Sequence, residues 1–285
     1  MSSLNSGEFS YTPQDFEVIA RTLYAETGIK LDRSKSQLVY SRLTKRLRAL
    51  GIESFRDYCA LVSQTGSDEH ARMCSALTTN VTRFFRESHH FDHFKKLELP
   101  KLIASAKAGK RIRIWSAGCS SGEEPYSVAL TILSLLPDAR AYDIKILATD
   151  FNPHVLAVGR AGRYPAEDMK DVPADLRTKW MDPATVEGER FYQLDEAVLR
   201  LVAFKPLNLM EKWPMSGPFQ VIFCRNVVIY FDDATQARIW TRMMPLLDRN
   251  GVLYIGHSER VTGQAVSLTV CEGTTTYRKN VKAAA

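Results

Sequence analysis

The chain has 285 residues, 45% of them hydrophobic and 25% charged, which supports one or two packed domains and excludes disordered, collagen-like and disulfide-stapled classes. No apolar run approaches the roughly 18 residues of a membrane helix, and no basic-then-apolar leader is visible, so a cytoplasmic protein with no direct membrane insertion is expected. The formal net charge is +6, all of it located between Lys30 and Arg48, where Lys30, Arg33, Lys35, Arg42, Lys45, Arg46 and Arg48 face one acid, Asp32.

Helical periodicity governs the chain up to about Lys96. Thr12 and Pro13 open a first helix whose apolar positions Phe16, Ile19, Ala20, Leu23 and Tyr24 share a face, and Gly28 ends it. A second helix is predicted from Arg33 to Leu50, its apolar stripe (Val39, Leu43, Leu47, Leu50) opposite an arc of basic residues read as one solvent face. Ser54 caps a short helix to Val62, and a fourth helix runs from Asp68 to Leu77. No strand signal is present in this half. Beyond Lys110, β-rich runs alternate with helical ones. Strands are predicted at Arg111–Trp115, Ile144–Thr149, Leu201–Phe204, Phe219–Phe223 and Val252–Ile255, with a β-rich tail from Leu268 to Tyr277. Helices are predicted at Glu124–Leu136, Pro153–Gly159 and Ala234–Leu247. This alternation specifies a doubly wound α/β domain with a mainly parallel sheet, and the long interval from Arg160 to Arg200 holds an inserted small element.

The cysteines Cys59, Cys74, Cys119, Cys224 and Cys271 are scattered, with no CxxC pair, so reduced and mostly buried thiols are expected, and neither a disulfide framework nor a metal site. The first strand ends in Ser116-Ala117-Gly118-Cys119-Ser120-Ser121-Gly122, a small-residue loop entering a helix that opens with Glu123 and Glu124. Glycines there admit a ligand close to the backbone, yet the spacing is not the dinucleotide fingerprint, and two acids at the helix start disfavour phosphate. Asp150, at the tip of the second strand, is placed to accept ribose hydroxyl protons or to cap the helix after it. Together these favour an adenosine ligand without phosphates, such as S-adenosylmethionine, with Glu124 toward its cationic end. In Leu77-Thr78-Thr79-Asn80-Val81-Thr82-Arg83-Phe84-Phe85-Arg86-Glu87, polar Asn80, Thr82 and Arg86 stand among aromatics, either as a ligand-binding segment or as a helix connector. Arg225 and Asn226 end the strand before Tyr230, whose ring is suited to a sulfonium or to the core.

The segments TTNVTRFFRESHHF, WSAGCSSGEEPYS, ILATDF, NLMEK, FCRNVVIYF and GHSE, in this order, resemble the bacterial chemoreceptor glutamate methyltransferases, the CheR family, over about Thr12 to Tyr277. The resemblance implies an all-α N-terminal domain for substrate recognition, residues 12–95, and a class I methyltransferase (Rossmann-like) domain, residues 96–285, with a small antiparallel β-subdomain at about 159–204. It implies S-adenosylmethionine contacts at Asn80, Thr82, Arg86, Glu124, Asp150, Asn208, Leu209, Arg225 and Asn226, with S-adenosylhomocysteine as product and no metal. The substrates implied are glutamyl side chains of methyl-accepting chemotaxis receptors, and the enzyme would be a protein-glutamate O-methyltransferase acting as a monomer and recruited to membrane receptor arrays. Glutamate is ionised at neutral pH, so no general base is expected, and Arg86 and Tyr230 are candidate orienting groups near the methyl. Arg42, Lys45, Arg46 and Arg48 would dock on acidic receptor helices. Only Gly188 occurs between Asp182 and Arg190, sparse for a member that grips a receptor's peptide tether. A nucleic-acid methyltransferase is disfavoured because the charge is one local patch, and a non-catalytic module because the ligand-type residues are all present.

Overall fold

The computed structural model describes residues 8–64, 68–78 and 80–281. Thr79 of the connector motif and the last four residues of the expected second domain lie outside them. Two compact units form: one runs to Thr79 and includes Tyr230–Thr235, and the other comprises Asn80–Ile229 and the chain from Gln236 onward. The division falls at Asn80, so residues 80–95 pack with the larger unit and not, as expected, with the helical domain.

The first unit contains α1 (Pro13–Thr27), α2 (Ser36–Leu50), α3 (Phe55–Val62) and α4 (Asp68–Leu77). At the start of α1 the Asp15 N–H donates to Thr12 Oγ1 (3.3 Å) and the Thr12 N–H donates to Asp15 Oδ2 (2.8 Å), a reciprocal cap that satisfies free helix-end donors. α2 begins later than expected because Asp32 caps a single 3-10 turn at Arg33–Lys35. Phe16, Ile19 and Leu23 of α1, Leu43 and Leu47 of α2, and Phe55 and Tyr58 of α3 are fully buried or nearly so, each contributing about 1.5–3 kcal/mol by leaving water. Burial pushes the Cys59 and Cys74 thiols up to about 12, so both are inert core residues. The later segment completes this unit: the Lys30 N–H donates to the Tyr230 carbonyl (2.9 Å) and the Tyr24 hydroxyl donates to Asp232 (2.6 Å).

In the second unit α5 (His89–His93) continues through a π-helical turn, Phe94–Glu98, into α6 (Leu99–Lys107). There follow β1 (Ile112–Ala117), α7 (Glu123–Leu135), β2 (Ile144–Asp150), α8 (Pro153–Ala161), β3 (Arg163–Pro165), α9 (Ala174–Trp180), β4 (Met181–Val186), β5 (Glu189–Leu194), α10 (Glu196–Leu199), β6 (Val202–Pro206), β7 (Phe219–Cys224), α11 (Asp233–Met243, of which the part from Gln236 belongs to this unit), β8 (Leu247–Ile255), β9 (Thr269–Gly273) and β10 (Thr276–Lys279). The main sheet has the order β6-β2-β1-β7-β8-β10-β9. Its first five strands are parallel, and the expected β-rich tail is a hairpin added antiparallel to β8. Apolar runs in β1, β7 and β8 are buried on both faces, as a sheet covered by helices requires. Trp115 is fully buried, and its indole N–H donates to Thr149 Oγ1 (2.8 Å), tying β1 to β2.

A second sheet, antiparallel and ordered β3-β5-β4, is the inserted subdomain. It is narrower than residues 159–204, because Gly159 belongs to α8 and the strand at Val202 joins the main sheet as β6. Among the described residues Cys271 is exposed and the other four thiols are buried, as expected. No helix among the described residues is long and apolar enough to cross a membrane.

Candidate cofactor site

The carboxyl ends of β1, β2 and β7 meet where the parallel sheet reverses its winding direction, β2 lying on one side of β1 and β7 on the other. Doubly wound sheets bind ligands in this crevice. After β1 the chain turns at Gly118, at φ 72°, and the N–H groups of Gly118 and Cys119 both donate to the Thr149 carbonyl (2.8 and 2.9 Å). A Cβ on Gly118 would stand 2.4 Å from Val227 Cγ2, so this glycine lets the loop pass close to the end of β7. The loop then offers the Ser120 N–H to Asp150 Oδ2 (2.9 Å), while the Asn152 N–H donates to Asp150 Oδ1 (2.9 Å). Each carboxylate oxygen therefore has a backbone donor and keeps a lone pair for a ligand hydroxyl. Burial pushes the Asp150 carboxyl above the usual range. The Ser120 hydroxyl donates to the Asn80 carbonyl (2.9 Å), which draws the connector motif to the same loop.

Behind the loop lies a buried charge network. The Arg225 side chain is 2% exposed and bridges Glu124 (3.1 Å) and Glu87 (3.3 Å). It also donates to the Arg86 carbonyl, and Ser116 Oγ donates to the second Glu124 oxygen (2.7 Å). Glu87 Oε1 meets the His257 ring at Nδ1 (2.8 Å) and accepts from the Asn226 amide (3.3 Å). Burial raises the Glu87 carboxyl, but the His257 hydrogen bond, the Arg225 charge and the Asn226 amide overcome it and hold it at about 2. Burial pushes Glu124 up against the Arg225 attraction. At the end of β7, Asn226 sits at φ 59°. Glu259 holds that turn by accepting the N–H groups of Asn226 (3.0 Å), Val227 (2.9 Å), Val228 (2.9 Å) and Gly256 (2.5 Å). Burial raises its carboxyl, which the four donors oppose.

Of the residues selected from sequence, Asn80, Glu124, Asp150, Arg225, Asn226 and the Arg86 backbone fall into this connected set. Arg225, expected as a ligand contact, is held here by Glu87 and Glu124. Glu124, expected toward a cationic ligand group, accepts from Ser116 and Arg225. The Arg86 guanidinium donates to the Val81 carbonyl (2.9 Å) and Thr82 is half-buried beside it. Asn208 and Leu209 follow β6, where the Leu207 N–H donates to the Asp150 carbonyl (2.9 Å). Asn208 Oδ1 accepts the Met210 N–H (3.0 Å), and Leu209 is buried with its carbonyl bound by Arg242 (2.7 Å). Tyr230, expected near the methyl, belongs to the helical unit. Sequence reasoning missed Glu87, Ser120, His257 and Glu259. The last two stand in the GHSE segment, whose order in the motif set was the available signal.

The basic arc of α2 is not one solvent face. Arg42 is half-buried and donates to the Leu77 and Thr78 carbonyls (2.7 and 2.9 Å). Arg46 grips buried Glu69 from two nitrogens (2.8 and 2.5 Å), and the Tyr58 hydroxyl donates to the same carboxylate (2.9 Å). Arg48 is exposed and pairs with Glu8; Lys45 is exposed.

Four carboxylates line or underlie this crevice against one buried guanidinium, Arg225. That balance fits a ligand carrying sulfonium and amino charges and opposes phosphates. Asp150, with lone pairs to spare beside the glycine loop, fits the ribose of an adenosyl group. Fold and site together define a class I, S-adenosylmethionine-type α/β domain. Residues 80–277 match the family described as CheR methyltransferase, SAM binding domain, and residues 14–78 match the CheR methyltransferase all-alpha domain. The chain is 51% identical over 261 residues to a probable chemotaxis protein methyltransferase of Rhizobium etli, covering 91% of this chain and 97% of that protein. It is 40% identical over 273 residues to chemotaxis protein methyltransferase 2 of Pseudomonas aeruginosa, covering 95% and 94%. It is 39% identical over 250 residues to the chemotaxis protein methyltransferase of Escherichia coli, covering 86% and 83%. The chain belongs to the CheR methyltransferase family and is an S-adenosylmethionine-dependent methyltransferase.

Proposed function

We propose that this enzyme methylates the γ-carboxylate of glutamyl residues in the cytoplasmic helices of methyl-accepting chemotaxis receptors, giving glutamate methyl esters and S-adenosylhomocysteine during sensory adaptation. The observation that carries this reading is Asp150, anchored by the Ser120 and Asn152 N–H groups beside a crevice whose buried cation is already matched. When bound, S-adenosylmethionine supplies an electrophilic methyl carbon. Asp150 accepts the ribose hydroxyls, while Asn80, Thr82, Asn208 and Leu209 line the remainder of the cofactor. Glu124, Arg225 and Glu87 fix the walls, and Asn226 presents its amide from a turn that Glu259 holds rigid. A glutamate with an ordinary pKa of about 4.3 is ionised at neutral pH. Its oxygen would take the methyl carbon without a general base, the bonding pair staying with sulfur in the thioether product, and no side chain of this protein would need to move a proton. The rate gain is therefore alignment and exclusion of water, with Arg86 as an orienting group. Exposed Lys45 and Arg48 of the helical unit supply the attraction for acidic receptor helices, and Arg42 and Arg46 support the same face from below.

The test incubates the protein with methyl-labelled S-adenosylmethionine and a receptor cytoplasmic fragment, then measures volatile methanol after mild base. Base-labile label on the fragment is expected. Label that resists base, or label appearing on RNA instead, overturns the carboxylate assignment.

A further inference from the structure

Beside the charge network, Glu87 and the first two residues of α5, His89 and His90, lie so that one ligand atom from each is within 4.8 Å of the others. His90 is 0% exposed, and its Nε2 is paired with Thr275 Oγ1 at 2.8 Å. A ring that donates from Nε2 leaves a bare lone pair on Nδ1. That Nδ1 has no hydrogen-bond partner, and neither has Glu87 Oε2, which stands 3.6 Å from it. The gap is too long for a hydrogen bond, so in the tautomer that donates from Nε2 two electron-rich atoms face each other across it, with Arg225 3.3 Å from the carboxylate oxygen. Zinc bonds of about 2.0–2.1 Å at the tetrahedral angle put ligand atoms about 3.4 Å apart, close to the separation observed. His89 is exposed at the open side of the pair, and Thr275 behind His90 is the outer partner that metal-bound imidazoles use to fix their tautomer.

We propose that Glu87, His89 and His90 form a binding site for a divalent transition-metal ion, with one carboxylate oxygen, two imidazole nitrogens and a water completing a tetrahedral shell that suits zinc. The ion shares Glu87 with its existing partners: Oε1 keeps His257 and Asn226, and Oε2 exchanges the 3.3 Å Arg225 contact for the metal. Arg225 retains Glu124 at 3.1 Å, so its charge is not stranded. The metal thus loosens the tie between residue 87 and the end of β7, beside Asn226. Zinc is accordingly a reversible inhibitor of the methyl transfer proposed above; this consequence alone rests on that reading, and the binding itself does not.

Full-length protein is titrated with zinc chloride against a chelating dye, and separately with cobalt(II) followed by its visible absorption. One zinc per chain is expected, with affinity reduced more than about tenfold by His89→Ala and unchanged by His154→Ala, a substitution of another exposed histidine. His89 is chosen because its exposed side chain can be removed without opening the core, as truncation of His90 would. Cobalt should show the intense bands of a tetrahedral site without thiolate charge transfer. Equal zinc affinity in wild type and His89→Ala, no zinc bound, or thiolate bands pointing to Cys271 would each overturn the site. Inhibition is scored independently: zinc should weaken S-adenosylhomocysteine binding in wild type and have no effect in His89→Ala.

Discussion

Glu259 accepts the backbone N–H of Asn226 at 3.0 Å while Asn226 stands at φ 59°, so a buried carboxylate three residues beyond Gly256 sets the conformation of the loop after β7. A left-handed non-glycine residue costs about 1–3 kcal/mol and persists only where its surroundings over-determine it. The carboxylate supplies that determination through four backbone donors.

Replacing Glu259 with Gln puts an NH2 group where an oxygen now accepts. The backbone donors it faces lose their partner, at about 1–3 kcal/mol for each buried group left unsatisfied. Glu259→Gln should lower stability by that order in urea unfolding and weaken S-adenosylhomocysteine binding by about tenfold in calorimetry. Unchanged affinity would separate the loop from the cofactor.

Asp150→Ala removes an acceptor whose hydrogen bonds to a ligand are charge-assisted, worth about 1.5–3 kcal/mol. Cofactor affinity should fall by more than about tenfold. Asp150→Asn keeps one acceptor oxygen and should lose less. A titration in which both variants bind like wild type would remove Asp150 from the site.

On α2, substitutions of the basic residues should sort by what each residue touches. Arg46→Ala leaves Glu69 buried without its cation, at a cost of about 3 kcal/mol, visible as a lower unfolding midpoint. Lys45→Glu lies on an exposed position and should change stability by less than about 0.5 kcal/mol. It should instead raise the KM for the receptor fragment, an effect that added salt diminishes. A Lys45→Glu enzyme with unaltered KM at low salt would make this face inert.

The same pair carries a pH signature. Burial raises the Glu69 carboxyl, but the hydrogen bonds from Arg46 and Tyr58 and the Arg46 charge overcome it, so its folded pKa lies below the ordinary 4.5. The unfolded chain therefore binds the proton first as pH falls. Stability from this group is complete above about pH 4.5 and is lost as the pH drops through the folded value. Wild type should lose more stability between pH 5.5 and about pH 3.5 than Glu69→Gln does. Parallel pH profiles in urea would rule the pair out as a contributor.

Caps and periodicity made the helical unit and the alternating sheet unit legible, because Thr12, Ser54, Gly28 and Gly51 act locally on their own turns. The sequence sets no bounds for the helices from His89 to Lys107, where a π-turn at Phe94–Glu98 carries the chain from α5 into α6. Charged residues were the hardest to place. In sequence Glu124 and Arg225 read as ligand contacts and Arg46 as part of a solvent face, and only tertiary partners from distant segments show how each is paired. The strand pattern put Asp150 and Asn226 at the carboxyl ends of β2 and β7, yet no spacing rule could reveal that Glu87 joins Arg225, or that Glu259 holds Asn226.

The helical unit takes its last piece from residues 230–235. A ribosome making this protein therefore releases α1 to α4 long before Tyr230 and Asp232 exist to bond Lys30 and Tyr24. The amino-terminal unit waits, incomplete, while strands β1 to β7 emerge behind it. Its final contacts form only when about four-fifths of the chain has been synthesised, so in nascent chains stalled before residue 230 the Lys30 amide hydrogen, which bonds the Tyr230 carbonyl in the finished molecule, should exchange with solvent faster.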